Sequence, residues 1–197
     1  MKKDTRKLSI VSKSVEIGNK TLTLETGRFA AQANSAVLAR LGDTMVLSTV
    51  VSARPIEDLD YVPLSVEYLE RLYAGGRIKG SRWVKREGRP SDEAILIARL
   101  IDRSVRPLFP EDYRNEVQVI ITVLSVDAEN NPDIPAVLAT SAALAISDIP
   151  WDGPVGALRI GFVPKNGEGS FIVNPTHQDL EYSEMDLVVA ATRKTII

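Results

Sequence analysis

Apolar and polar residues alternate in several short segments of the chain, with the period of two that is typical of a β-strand buried on one face. The first two segments surround Gly18, Asn19 and Lys20, which favour the tight turn of a β-hairpin. Residues 44–51 are rich in β-branched side chains and predict a central strand. Further strands are predicted over residues 64–68, 116–127, 155–163, 170–173 and 187–191. The alanine-rich residues 28–40 are compatible with either a helix or a strand.

Two other segments are predicted to be helices, the first by its helical period of 3.6 residues and the second by its cap and its many alanines. The first begins after Ser91, a good N-cap, and ends before Pro107, which cannot continue a helix. The second is predicted over residues 134–147, with Asp133 as its cap. The apolar face of the first helix consists of Ala94, Ile97, Ile101 and Val105, and the opposite arc carries Arg99, Arg103 and Arg106.

The order of these elements predicts one α+β domain in which strands dominate. We assign it to residues 10–197 and expect the polar, basic residues 1–9 to form a flexible tail. Residues 192–197 follow a predicted strand without a cap or a polar tail, so we expect the domain to be incomplete at this end.

The composition argues against several kinds of site. The chain has no cysteine, so disulfides and thiolate metal sites are excluded, and its single histidine, His177, argues against a histidine-based zinc site. The amino terminus lacks the apolar region of a signal peptide, and no apolar run reaches the length of about 18 residues that a membrane span needs. We therefore expect a soluble, cytosolic protein without a membrane partner.

Positive charge is concentrated in residues 71–106, which contain ten basic and four acidic residues. Because the whole chain has a net charge of −2, this local charge of +6 leaves −8 for the remainder. Tyr73 and Trp83 lie among the cations, and residues 69–90 are rich enough in glycine to form a long loop. Aromatic rings that stack on bases, next to cations that contact phosphates, are typical of sequence-tolerant binding to single-stranded nucleic acid. The alternative is a charged loop and helix face that are merely solvated.

Other candidate sites are weaker. Residues 75–81 lack the spacing of a phosphate-binding P-loop. An acidic cluster of Asp179, Glu181, Glu184 and Asp186 has the chemistry for Mg²⁺, although an acidic surface loop is the commoner explanation. His177 is interpreted as a loop residue, and no Ser/His/Asp arrangement is visible.

Several runs of residues resemble the bacterial polynucleotide phosphorylase family. The longest are YAGGRIKGS at 73–81, REGRPSD at 86–92 and LIARLIDR at 96–103. Shorter matching runs follow in order at residues 106–110, 115–119, 131–134, 141–144, 153–156 and 186–190. The resemblance extends from about residue 7 to the end of the chain, and motifs of this length and order are highly specific.

This resemblance implies an RNase PH-like core with βαβ crossovers in a mixed sheet, the first of two such cores in a homotrimeric, cytoplasmic enzyme. The family degrades RNA from its 3′ end with inorganic phosphate as the attacking group, releases nucleoside diphosphates and requires Mg²⁺. Single-stranded RNA, not DNA, is therefore the implied partner.

An element of two aromatic and two arginine residues grips RNA in this family. The corresponding residues here are 82–86, one residue longer and with a lysine in place of one arginine. Trp83 and Arg86 match it well, Lys85 is a weaker point-charge substitute, and Arg82 matches only by proximity. Arg77 and Arg89 complete the predicted RNA-binding set, and Arg99, Arg103 and Arg106 are assigned either to RNA or to the scaffold.

The family's phosphorolytic site pairs two aspartates six positions apart and uses serines to hold phosphate. In this chain Asp186 matches the later aspartate, but position 180 is leucine, and residues 132–135 read Pro-Asp-Ile-Pro where serines would be expected. We therefore predict no catalytic and no metal-binding residue in this chain, with Mg²⁺ and phosphate bound elsewhere in the full enzyme. A stand-alone exoribonuclease and a purely structural module for trimer assembly are the alternatives.

Overall fold

A computed structural model of the chain describes residues 9–54, 60–78, 88–165 and 168–197. The predicted flexible tail therefore lies outside the described residues, except for Ser9. The described helices are α1 (Asp92–Val105), α2 (Asp133–Ile146) and α3 (His177–Glu181). The described strands are β1 (Val11–Ile17), β2 (Lys20–Thr26), β3 (Ser35–Leu41), β4 (Thr44–Ala53), β5 (Leu64–Leu69), β6 (Glu116–Ser125), β7 (Gly156–Lys165), β8 (Glu168–Val173) and β9 (Met185–Ala191).

These strands form two sheets. The larger has the order β1-β2-β3-β4-β6-β5 and is mixed, because β5 runs parallel to β6 and every other pair is antiparallel. Helix α1 makes the crossover between the two parallel strands, as βαβ units require. The smaller sheet has the order β8-β7-β9. Helix α2 packs against β3 and β4 of the first sheet and against β7 of the second, so the α+β prediction is confirmed.

The predicted hairpin is present, with strands β1 and β2 in register from Ile17 and Lys20. Gly18 and Asn19 both have positive φ angles, 56° and 61°, as the type I′ turn of a two-residue hairpin requires. Strand β3 shows that residues 35–41 are extended. Every residue of this strand except Arg40 is buried, and its packing against β2, β4 and helix α2 outweighs the helical propensity of its alanines.

Helix α1 has the predicted cap and face. The hydroxyl of Ser91 accepts a hydrogen bond from the amide of Ala94, and the helix ends before Pro107. Ala94, Ile101 and Val105 are buried in the core. No helix among the described residues is long and apolar enough to cross a membrane.

Helix α2 is buried on most sides, because its small side chains allow close approach of both sheets. The hydroxyls of Ser48 and Thr140 share a hydrogen bond of 3.0 Å across its contact with β4. Asp133 is the first helical residue and not the cap that the sequence predicts; its carboxylate accepts the amide of Ile134. Helix α3 was not predicted, although Thr176 and Asp179 form a capping box at its start.

A polar junction lies beside the N-terminus of α2. The Asp127 carboxylate accepts hydrogen bonds from the amides of Asp43, Glu129 and Asn130, and from two side chains, the Thr44 hydroxyl and the Asn130 amide. Partial burial acts to raise the pKa of Asp127, but these hydrogen bonds outweigh it and hold the pKa well below its usual range. Asp127 therefore ties the β3–β4 turn to the loop that leads into α2.

We predict that Asp127→Asn lowers the free energy of unfolding by about 1.5–3 kcal/mol, because an amide presents a donor to groups that need an acceptor. Folding lowers the pKa of Asp127, so its carboxylate stabilises the folded protein above the unfolded-state pKa of about 4. This stabilisation is lost as the pH falls through the lower pKa of the folded state. Urea unfolding should therefore show a difference between the two proteins at neutral pH that shrinks towards about pH 3. Asp43→Asn, which changes an exposed carboxylate, is the control and should cost at most about 0.5 kcal/mol. An equal cost for both variants would contradict the assignment.

Candidate nucleic-acid interface

The predicted RNA-binding residues divide into two groups. Arg82, Trp83, Lys85 and Arg86 lie outside the described residues. The other five, Arg77, Arg89, Arg99, Arg103 and Arg106, are described, and all are exposed.

The segments that flank residues 79–87 are anchored to the large sheet. On one side the residues of a short 3₁₀ turn, Leu72–Gly75, are held because the Ala74 carbonyl accepts a hydrogen bond of 3.0 Å from the amide of Val126 at the end of β6. On the other side the Ser91 hydroxyl donates a hydrogen bond of 2.8 Å to the Glu70 carboxylate. The segments on both sides of residues 79–87 are therefore held at the carboxyl ends of the neighbouring strands β5 and β6.

Arg99 and Arg103 lie on the solvent side of helix α1, on the same side as Leu96, which is 65% exposed. Within the described ranges neither arginine forms an ion pair, and the same holds for Arg77 and Arg89. These four guanidinium groups therefore have donors available for an anionic ligand such as a phosphate.

Arg106 differs from these four because its donors are used by the fold. It forms an ion pair of 2.6 Å with Asp102, one turn earlier in helix α1. It also donates hydrogen bonds of 3.1 and 3.0 Å to the carbonyls of Val62 and Leu64, where edge strand β5 begins. Of the two interpretations left open by the sequence, the contacts of Arg106 favour the scaffold.

A groove of about 550 Å³ runs between helix α1 and β5, the edge strand of the large sheet. Its walls are mainly apolar and include Val66, Ile95 and Ala98, and both Arg99 and Arg106 line it. Arg103 is not among the lining residues, so it lies on the outer surface of the helix.

The carboxylates that the resemblance connects with metal and phosphate are bound to other side chains. Asp186 is held by Arg159 in a bidentate ion pair, with both N···O distances 2.6 Å, and the third guanidinium nitrogen lies 3.0 Å from Asp133. Hydrogen bonding by Arg159 lowers the pKa of Asp186, whereas burial raises the pKa of Asp133 although Arg159 opposes it. Leu180, on helix α3, has no donor atom for a metal.

The other acidic candidates fit a metal no better. Asp179 is used in the capping box of helix α3, where hydrogen bonds from the side chain and backbone of Thr176 lower its pKa. Among the described residues there is no group of three or more His, Asp or Glu side chains that could hold a metal ion. The described residues therefore do not fit the Mg²⁺ that the resemblance implies for the full enzyme.

Arg159 was not predicted from the sequence. Its signal was a charged residue inside the apolar β7 sequence GALRIGFV, where an inward-facing cation needs an acidic partner. The sequence does not identify that partner, because Asp133 and Asp186 are 26 and 27 residues away from Arg159 along the chain.

The chain is similar to curated bacterial proteins named polyribonucleotide nucleotidyltransferase. It is 55% identical over 189 residues to the protein of Thermomicrobium roseum, covering 95% of this chain and 23% of the relative. It is 53% identical over 189 residues to the protein of Roseiflexus sp. strain RS-1, covering 95% of this chain and 25% of the relative. The chain thus spans about a quarter of the length of these relatives.

Structural comparison agrees on the fold. The crystal structure of Rrp46 from rice, Oryza sativa, matches with a TM-score of 0.63 at 16% identity, over 96% of this chain and 79% of that chain. The family model described as "3′ exoribonuclease family, domain 1", the RNase PH family, matches residues 18–150, more than half of the chain. This chain has the RNase PH-like fold and belongs to the 3′ exoribonuclease family as its domain 1.

Proposed function

We propose that this chain is the RNA-gripping core of a polyribonucleotide nucleotidyltransferase, a cytoplasmic homotrimer that degrades RNA from the 3′ end by phosphorolysis. The proposed role of this core is to hold single-stranded RNA, while Mg²⁺ and inorganic phosphate act elsewhere in the full enzyme. The family membership and the 55% identity to a relative of that name support the reaction class.

One observation carries the role of this core: Arg77, Arg89, Arg99 and Arg103 are exposed and form no ion pair within the described part of the chain. The net charge of residues 71–106 is +6, so this segment itself contains no excess of acid to neutralise them. Unpaired cations near an aromatic-containing sequence whose flanking residues are held to the sheet are suited to the phosphates and bases of a single strand.

The alternatives are less well supported. A stand-alone exoribonuclease would need an available acid pair, whereas Asp186 is bound to Arg159 and residue 180 is a leucine. A purely structural module agrees with the contacts of Arg106, but it leaves the exposed Arg99 and Arg103 without a role.

Replacement of Trp83, Lys85 and Arg86 together by alanine should weaken binding of single-stranded RNA. Loss of one stacked base would cost about 1–3 kcal/mol. Each lost phosphate contact would reduce the slope of log affinity against log salt by about 0.7. Filter binding at several salt concentrations measures both effects. Arg40→Gln, which removes a cation that is paired with Asp43, is the control, and unchanged affinity in the triple variant would favour the structural module.

A second test compares arginines of helix α1 that differ in their contacts. The double variant Arg99→Gln/Arg103→Gln should flatten the salt dependence of RNA binding and leave the Tm almost unchanged, because neither side chain forms an ion pair with another described residue. Arg106→Gln should do the reverse, with a stability loss of about 1–2 kcal/mol from its broken contacts to Asp102 and two carbonyls. If the double variant lowered the Tm without changing RNA binding, Arg99 and Arg103 would be scaffold residues.

The chain by itself should release no nucleoside diphosphates from RNA in the presence of phosphate and Mg²⁺. The reason is that its Asp186 is bound by Arg159 and that Leu180 replaces the second acid of the pair. Chromatography of the products measures release, with the full-length relative from Thermomicrobium roseum as the positive control. Phosphate-dependent release by this chain, lost on Asp186→Asn, would instead establish a stand-alone enzyme.

A further inference from the structure

Three charged side chains meet where helix α2, strand β7 and strand β9 come together. Asp133 is the first residue of α2, Arg159 lies on β7, and Asp186 lies on β9. Asp133 is only 6% exposed, and the Arg159 side chain is 20% exposed. The cluster is therefore a partly buried ion triad and not a solvated surface pair.

Every carboxylate oxygen of the triad already accepts a hydrogen bond from this chain. Both oxygens of Asp186 accept from Arg159, one oxygen of Asp133 accepts from Arg159 at 3.0 Å, and its other oxygen accepts the Ile134 amide at 2.7 Å. A Mg²⁺ ion needs oxygen atoms at about 2.0–2.1 Å in a near-octahedral arrangement. It would have to displace the guanidinium from both carboxylates at once.

The backbone of Arg159 is fixed as well. Its amide donates to the Asn174 side chain at 3.1 Å, and its carbonyl accepts the Asn174 amide at 2.7 Å. Asn174 is itself buried, and its carbonyl accepts a hydrogen bond from Lys20. Release of the guanidinium would leave Asp133 charged and unpaired in a buried position, which is strongly unfavourable.

We propose that Arg159 is a built-in cation that occupies the position between Asp133 and Asp186, so that this carboxylate pair excludes divalent metal ions. The guanidinium provides the positive charge that the two acids need, and it connects the start of α2 to the small sheet. Arg159 is a positioning residue, and its removal turns the pair into a site that accepts a divalent cation.

The inference concerns the same carboxylates as the proposed lack of phosphorolysis. Its test uses metal and protein without RNA, so a failure of this inference is distinguishable from a failure of the proposed RNA-binding function.

The test compares the wild type with Arg159→Gln, whose amide oxygen adds a third oxygen ligand between the two carboxylates. Mn²⁺ is the probe: its binding is measured by electron paramagnetic resonance of the free ion, and its effect on stability by the Tm. Without metal, the variant should be less stable than the wild type. Millimolar Mn²⁺ should raise the Tm of the variant by about 3 °C or more and leave that of the wild type unchanged.

Three controls test whether the Mn²⁺ response arises from the Asp133–Asp186 pair. Adding Asp186→Asn to the variant should abolish Mn²⁺ binding, and Arg40→Gln, which frees the exposed Asp43 from its ion pair, should acquire no Mn²⁺ response. Arg159→Lys keeps a positive charge and should still exclude the ion, although it loses the bidentate contact.

For proteins that fold without metal, two results would overturn the proposal. One is Mn²⁺ binding by the wild type that disappears on Asp186→Asn, because metal and guanidinium would then coexist. The other is a folded Arg159→Gln variant that binds no Mn²⁺. If the variant does not fold without metal, folding in Mn²⁺ supports the proposal, and failure to fold in both conditions overturns it.

Discussion

Burial of the N-terminus of helix α2 is the constraint on which the rest of the structure depends. The first amides of a helix have no partner within the helix, and a buried helix end must therefore obtain partners from elsewhere. In this chain the preceding loop is held by Asp127 and Asn130, and the first turn carries Asp133, paired with Arg159. Lys20 joins the same region by donating to Asn130 at 2.7 Å and to the carbonyl of Asn174 at 2.9 Å. Both sheets are thus attached to one helix end through polar contacts, and the apolar core closes around the rest of that helix.

This arrangement determines which charges remain available for a ligand. Arg159 and Arg106 are used to hold secondary-structure elements together. Arg99 and Arg103 project from the opposite side of helix α1 to the core residue Ile101, where no described acid neutralises them. Two populations of arginine with different roles therefore exist within one fold, and they are distinguished by their partners and not by their residue type. The same distinction separates a carboxylate pair that is saturated with hydrogen bonds from one that could bind a metal ion.

Sequence patterns identified the elements whose formation depends on local chemistry. The β1–β2 hairpin was predicted because Gly18 and Asn19 favour positive φ, and helix α1 was predicted because Ser91, an apolar stripe and Pro107 define its start, face and end. Strand β3 could not be predicted, since its alanines have helical propensity and only the neighbouring strands and α2 select an extended conformation. Helix α3 was missed because it has only five residues, too few to show a helical period.

The family resemblance, the excess of basic residues in 71–106 and the absence of a matching acid at position 180 were determined by the sequence alone, because they depend only on residue order and count. Tertiary structure alone decided that Arg106 braces the start of β5, that Arg99 and Arg103 stay unpaired among the described residues, and that Arg159 is bound to Asp133 and Asp186. The physical reason is distance along the chain. An ion pair or a buried face depends on residues that the fold brings together from segments tens of residues apart, and no local pattern records which partner that will be.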